Sequence, residues 1–302
     1  MVSDKIKISD IANLDDQSLV EFCGIICDKK ILQKKDNGFY LNISVQDNTG
    51  TINFPVWNDY ETYNNKLLTS SVVMVRGSKT EYNGECQIKN PQFRLLPASQ
   101  IPLSSLIPSY EIPNSLITNF ERIVSELSTP YKEIAIKATG IDNKDSKQWK
   151  DFIQCVSAEK HHGNKLGGLF LHTYGVTMSV VDVCKRYVDS PYFYDASKAI
   201  NKNRLILKAI LHDIKKIDEY EWNPIIRRKP DKKIGHIIDG CCFIRKLDED
   251  CGKILSEEDI DDIQYSILSH HGQWGPFQPN SLEDTLLHLA DMVDSQIVGK
   301  IE

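Results

Sequence analysis

The spacing of apolar residues changes period once along this chain, and the change falls at a segment rich in proline and serine. Ahead of it, GFYLNISVQD (38–47) alternates apolar and polar residues, and TINFPVWN (51–58) continues in the same way. Behind it, apolar positions recur every three or four residues, as in HTYGVTMSVVDVCKRYV (172–188) and KNRLILKAILHDIKK (202–216). A period of two builds a strand with two faces, and a period near 3.6 builds a helix with one apolar stripe. A chain that holds both in separate blocks folds as two units. The expected division is 1–98 for the β block, 99–114 for a semi-extended Pro/Ser linker and 115–302 for an all-α block.

The β block reads as LVEFCGIICDKKIL, GFYLNISVQD and TINFPVWN, then the helical DYETYNNKLL, then SSVVMVRGSKTEY and GECQIKNPQFRLL joined at Tyr82-Asn83-Gly84. Three strands, a short helix and two more strands is the order of the five-stranded OB barrel. The expected fold is therefore multidomain: an N-terminal all-β OB barrel followed by an all-α domain. Aromatics such as Tyr40 and Trp57 are interleaved with Lys29, Lys34, Lys79 and Lys89. Exposed aromatics beside cations hold single strands by base stacking and phosphate contact. About half of the aromatics must point into a small barrel in any case, because strands alternate.

Bulk properties narrow the function. Acidic residues outnumber basic ones, 42 to 36, for a net charge of −6, so the protein does not coat nucleic acid by bulk charge. The eight cysteines show no CxxC and no finger spacing, and they read as reduced, idle thiols. No segment is apolar enough to span a bilayer and the first residues lack a signal-peptide core, so a cytoplasmic protein with no membrane partner is expected.

The α block carries the chemistry. His172, His212-Asp213, His236, His270-His271 and Asp291 lie in five separate helical segments. One helix cannot gather such a set, and metal sites in bundles draw one or two ligands from each of several helices. Imidazole with carboxylate suits manganese, iron, cobalt, nickel or zinc better than a pure magnesium or calcium cage. A carboxylate can bridge two ions, and paired ions serve hydrolysis at phosphorus. Taken singly each residue is weak: a helical His is usually a packed or surface group, and Asp291 alone reads as a surface acid. His288 and Asp294 read as candidate supports of the ligands, with purely structural use equally open.

These segments are KHHGNKLGGLFLHT (160–173), ILHDIKKIDEY (210–220), IGHIIDG (234–240), ILSHHGQWG (267–275) and LLHLADMVDSQI (286–297). In this order they resemble the HD phosphohydrolase superfamily, and with the OB barrel ahead of them the whole chain resembles the YhaM family of bacterial 3′→5′ exoribonucleases. The resemblance implies that His172, His212, Asp213 and Asp291 hold one metal, that Asp213 bridges, and that His236, His270 and His271 complete a second site. It leaves open which of His270 and His271 binds. It further implies a pair of divalent ions, with manganese first among the metals and iron, cobalt, nickel, zinc and magnesium as alternatives. Lys216 keeps the lysine of the family's His-Asp-Ile-Gly-Lys run and is expected at the substrate phosphate. Lys215 replaces the glycine, and either opens the turn or adds a second phosphate contact. His161 or His162 is expected as a phosphate contact or proton donor. Arg227 and Arg228 belong to a basic loop that would guide a polyanion, and Trp274 would stack a terminal base; surface charge and packing account for these residues equally well.

The function expected is metal-dependent 3′→5′ exonuclease action on single-stranded RNA or DNA, releasing nucleoside 5′-monophosphates, by an enzyme that could form homo-oligomers. Two rivals stand beside it: an HD phosphohydrolase for a small or cyclic nucleotide, and a single-strand-binding protein whose HD domain is only a scaffold.

Overall fold

The computed structural model describes residues 6–34, 37–158, 165–190, 196–222 and 225–301. They form two compact units, one of residues 1–109 with 222–226 and the other of 110–221 with 227–302.

The first unit is a five-stranded barrel with a short leading helix, α1 (Ile8–Ile11). Its strands are β1 (Leu19–Gln33), β2 (Phe39–Gln46), β3 (Thr51–Val56), β4 (Val72–Tyr82) and β5 (Glu85–Leu95), with α2 (Tyr60–Lys66) between β3 and β4. The strand order β3-β2-β1-β4-β5 is antiparallel throughout. The 15-residue β1 serves two neighbours: Leu19–Ile25 pair with β4 and Ile25–Gln33 pair with β2. A register shift between Ile26 and Asp28 bends it, as a bulge does, and lets one strand turn the corner of the barrel. Gly24 lies at this crowded turn, where a Cβ would stand 2.6 Å from the Gln46 carbonyl oxygen. The edge strands β3 and β5 approach through Phe54 and Phe93, stacked with centroids 6.2 Å apart. Inside are Phe22, Ile26, Leu41, Ile43, Val45, Phe54, Val73 and Val75, all fully buried.

Two 3-10 turns, Ala98–Gln100 and Leu103–Ser105, occupy the Pro/Ser segment, and Leu106 and Ile107 after them are buried. Part of this segment is therefore packed where its composition suggests an extended tether.

The second unit is helical: α3 (Asn114–Glu126), α4 (Tyr131–Thr139), α5 (Lys147–Gln154), α6 (Gly168–Tyr187), α7 (Ala196–Ala199), α8 (Lys202–Leu211), α9 (Lys216–Glu219), α10 (His236–Asp250), α11 (Glu257–Ser269) and α12 (Leu282–Ile301). A two-residue hairpin, β6 (Tyr220–Glu221) with β7 (Arg227–Arg228), joins α9 to the loop before α10. Helix α4 escapes the sequence pattern because its buried positions are Tyr131, Ile134, Ala135, Ala138 and Thr139, and alanines leave a faint stripe. Ser146, Asn201 and Ser256 cap α5, α8 and α11 by accepting backbone N–H bonds. Phe120, Trp149, Phe152 and Phe170 pack at 5.6–6.2 Å, edge to face except for the tilted Phe120–Phe152 pair, and fix α3 and α5 against α6.

Candidate metal centre

Helix ends bring the ligand-type residues together. Helix α8 stops at Leu211, so His212 and Asp213 stand where the chain turns toward α9. Adjacent residues inside a helix diverge by about 100°, and leaving the helix frees both side chains to point inward. His270 and His271 follow the end of α11 in the same way, and Gly272 then takes φ +53°. A Cβ on Gly272 would lie 2.6 Å from the His288 ring, so glycine answers both the backbone and the space. His236 is the first residue of α10, while His172 and Asp291 project from α6 and α12.

Asp213 is the centre of the arrangement and is 1% exposed. Its Oδ2 stands 3.4 Å from Nε2 of both His172 and His212. Its Oδ1 stands 3.2 Å from His236 Nε2 and 3.7 Å from His270 Nε2. Asp291 Oδ1 is 3.1 Å from His172 Nε2, and the His172 and His212 Nε2 atoms are 3.2 Å apart. Two groups of ligand atoms result, each within 4.8 Å: His172, His212 and Asp291, and then Asp213, His236, His270 and His271.

The far side of four of the five rings is held by the protein. His172 Nδ1 meets Asp294 at 2.7 Å, His212 Nδ1 meets the Ala209 carbonyl at 2.8 Å and His270 Nδ1 meets the Ile267 carbonyl at 2.7 Å. His236 Nδ1 meets Glu219 at 2.5 Å. A ring that donates from Nδ1 turns an Nε2 lone pair to the centre, which is the form a metal requires. His288 stands one layer back, with Nδ1 2.6 Å from the His270 carbonyl.

These atoms pass a direct test of fit for a cation. Asp213 Oδ1, His236 Nε2 and His270 Nε2 are buried, face one another and have no hydrogen-bond partner among the described residues. Three acceptors turned inward cost free energy unless a positive charge stands between them. Titration behaviour divides the rings: His270 and His271 are lowered, whereas His172 and His236 are raised by the carboxylates they face. Burial, with His271 and His212 alongside, holds His270 well below the usual histidine range, so it is neutral. Burial likewise lowers His271. Burial alone would discharge His172, but bonds to Asp213, Asp291 and Asp294 outweigh it and raise its pKa. Burial would protonate Asp213, yet Lys216 and His212 beside it hold its carboxyl well below the usual carboxylate range.

The centre opens into a cleft of about 570 Å³ lined by Lys216, Tyr220, His271, Trp274, Met292 and Gln296 among others. Trp274 is 71% exposed and stands at its rim.

The comparisons with known proteins match this division. The HD domain family matches residues 169–296, and the OB-fold nucleic acid binding domain family matches residues 20–96. The chain is 25% identical over 269 residues to the 3′-5′ exoribonuclease YhaM of Bacillus pumilus, covering 85% of this chain and 79% of that protein. It is 26% identical over 264 residues to the protein of the same description from a Geobacillus species, covering 85% and 76%. Over 85% of its length the chain is similar to the YhaM exoribonucleases. It is also 30% identical over 145 residues to the dihydroneopterin 2′,3′-cyclic phosphate phosphodiesterase of Methanocaldococcus jannaschii, covering 47% of this chain and 51% of that protein.

As in the sequence reading of a YhaM-like chain, His172, His212, Asp213, His236, His270, His271 and Asp291 converge. Lys216 lies beside them, with Nζ 2.6 Å from Asp213 Oδ2. Lys215 corrects an expectation. Its φ of −81° is ordinary, so no glycine is needed there. Its ammonium pairs with Asp218 and lies 4.6 Å over the Phe243 ring. Arg227 and Arg228 are half-exposed and paired with Glu221 and Glu219. His161 and His162 fall outside the described residues. Tyr40 and Trp57 belong to the barrel, their rings 4.4 Å apart, in a groove of about 870 Å³ that also holds Lys34, Tyr82 and Lys89. Burial lifts the Cys184 thiol to about 11, which leaves it inert at neutral pH. Glu219 is the functional-looking residue that sequence reading misses; an acid near a His-Asp pair has no distinguishing spacing. Among the described residues, no helix is long and apolar enough to cross a membrane.

Proposed function

We propose that the protein is a metal-dependent 3′→5′ exoribonuclease that binds single-stranded RNA through its OB barrel and hydrolyses the terminal phosphodiester in its HD domain. The observation that carries this reading is the inward set of unpartnered acceptors, Asp213 Oδ1, His236 Nε2 and His270 Nε2, beside the His172–His212–Asp291 group. The similarity to the YhaM exoribonucleases supports the polymer substrate and the polarity.

His172, His212 and Asp291 would hold one divalent ion, and His236, His270 and His271 a second, with Asp213 turned to both. When bound, such ions lower the pKa of water and neutralise charge gathering at phosphorus. The protein side chains do the rest. The Lys216 ammonium, buried at the base of the cleft, stabilises negative charge on the scissile phosphate. Trp274 offers an exposed ring at the rim for the terminal base. In the barrel, the Tyr40–Trp57 pair with Lys34 5.3 Å over the Trp57 ring supplies stacking and charge for the upstream strand. Manganese is the first choice of ion, and the product is a nucleoside 5′-monophosphate.

A 5′-labelled single-stranded RNA and its DNA twin, incubated with Mn²⁺, Mg²⁺ or EDTA, test this directly. The expected result is a ladder shortening from the 3′ end that needs metal and disappears in His212→Ala/Asp213→Ala. A second reading, hydrolysis of a small cyclic phosphate, draws on the similarity to the archaeal cyclic phosphate phosphodiesterase. Intact RNA in every lane together with opening of a 2′,3′-cyclic nucleotide would favour it.

A further inference from the structure

Glu219 holds more of the centre than its place in the sequence suggests. It is 5% exposed, and among the described residues its side chain bonds to one histidine and one arginine. Its Oε2 accepts from His236 Nδ1 at 2.5 Å and from the His236 backbone N–H at 2.8 Å. Because His236 opens α10, that N–H is one of the donors a helix start leaves unpaired, and an acid there also suits the helix dipole. The other oxygen, Oε1, is 3.0 Å from Arg228 Nε. The Glu219 carbonyl accepts from the Lys229 N–H at 2.9 Å, so the same residue is tied by main chain to the end of the β6–β7 hairpin.

With Nδ1–H committed to Glu219, the lone pair of His236 sits on Nε2, the atom 3.2 Å from Asp213 Oδ1. We propose that Glu219 is the positioning residue of the Asp213–His236–His270–His271 group, and that Arg228 acts through it. Glu219 sets the tautomer and the ring orientation of His236, and Arg228 keeps the carboxylate in place. The hairpin thereby governs how tightly this one group holds its ion. The neighbouring group has a separate support, Asp294 on His172 Nδ1 at 2.7 Å. Loss of Glu219 is therefore felt at one ion rather than both. Arg228 thereby has a part in the metal centre besides the substrate guidance its sequence suggests.

The inference rests on the two-ion reading above, and its test reads metal binding rather than nuclease activity. The full-length protein is stripped with chelator and titrated with Mn²⁺, with free ion counted by electron paramagnetic resonance. Thermal melting of the metal-free protein reports folding. Wild type is expected to take up two ions. Glu219→Ala is expected to weaken one of the two binding events by about 100-fold and Glu219→Gln by about 10-fold, the span typical of lost supports of metal ligands. Arg228→Ala should produce a smaller shift in the same event, and Asp294→Asn a shift in the other. Folded Glu219 variants that bind both ions as wild type does, or that weaken both events equally, would overturn the proposal. If Glu219→Ala fails to fold, Glu219→Gln is read by the same criterion. Wild type that binds no ion would instead overturn the metal reading itself.

Discussion

Lys216 Nζ stands 2.6 Å from Asp213 Oδ2, the same carboxylate oxygen that faces His172 and His212 at 3.4 Å. Burial alone would discharge Lys216, but Asp213 beside it keeps its pKa raised, which favours the ammonium form. A fixed positive charge at the base of the cleft is what a reacting phosphate needs. Lys216→Met is expected to lower kcat by about 10²–10³-fold with a smaller effect on KM, the cost of losing one preorganised donor. Steady-state kinetics on a short RNA measure it. A kcat within a few-fold of wild type would remove Lys216 from the chemistry.

Metal should stabilise the helical unit, because its inward-facing acceptors are unpartnered without it. An ion that binds only the folded state at 100 times its Kd adds about 2.7 kcal/mol. For a unit of this size that raises the melting temperature by about 5–10 °C per site. Differential scanning fluorimetry in Mn²⁺ against EDTA checks this, and Asp213→Asn should abolish most of the shift. An identical melt in both buffers would contradict the metal centre.

Strand binding by the barrel can be separated from its folding. Trp57 is 51% exposed, so Trp57→Ala should leave the barrel folded and weaken a single-stranded RNA by about 1–3 kcal/mol, the worth of one stacked base. Phe54, three residues earlier in β3, is fully buried. Phe54→Ala should instead destabilise the barrel by about 3–5 kcal/mol. Fluorescence anisotropy and thermal melting together distinguish the two. Equal RNA affinity for Trp57→Ala and wild type would take this groove out of the binding surface.

Glu283 gives the helical unit an acid-sensitive joint. It is 2% exposed and bonded to Arg204 Nη2 at 2.9 Å, Lys208 Nζ at 2.7 Å and the Asn201 N–H at 2.8 Å. Burial alone would raise its pKa, but Arg204 and Lys208 outweigh burial and lower it. A carboxyl whose folded pKa lies below its unfolded value stabilises fully above the unfolded value, about 4.3. That stability is lost as pH falls through the folded value. Glu283→Gln leaves Lys208 buried without its main partner and should cost about 3–5 kcal/mol at pH 7. The gap between variant and wild-type melting temperatures should narrow as pH drops below that range. A gap that stays constant to low pH would show that the carboxylate charge is not what matters.

The two-unit plan was legible because hydrophobic period is local. Strand β2 announces itself in GFYLNISVQD, and the caps Ser146 and Ser256 precede their helices by one residue. What period could not show was weakly apolar or very short: α4 with its alanines, and the two-residue strands β6 and β7. The ligand residues were legible as chemical types in a repeated order, which no packing requirement would produce in five separate segments.

The sequence by itself determined the barrel, the helices and the kinds of side chain available to a metal. Tertiary packing alone decided their relations: Asp294 meets His172 across 122 residues of chain, and Asp213 divides its oxygens between two groups. It also decided that Arg228 pairs with Glu219 and that Lys215 turns to Phe243. Period and propensity are set by neighbours within a turn or two, whereas a 3 Å contact between distant residues exists only once helices have packed and fixed their rotation.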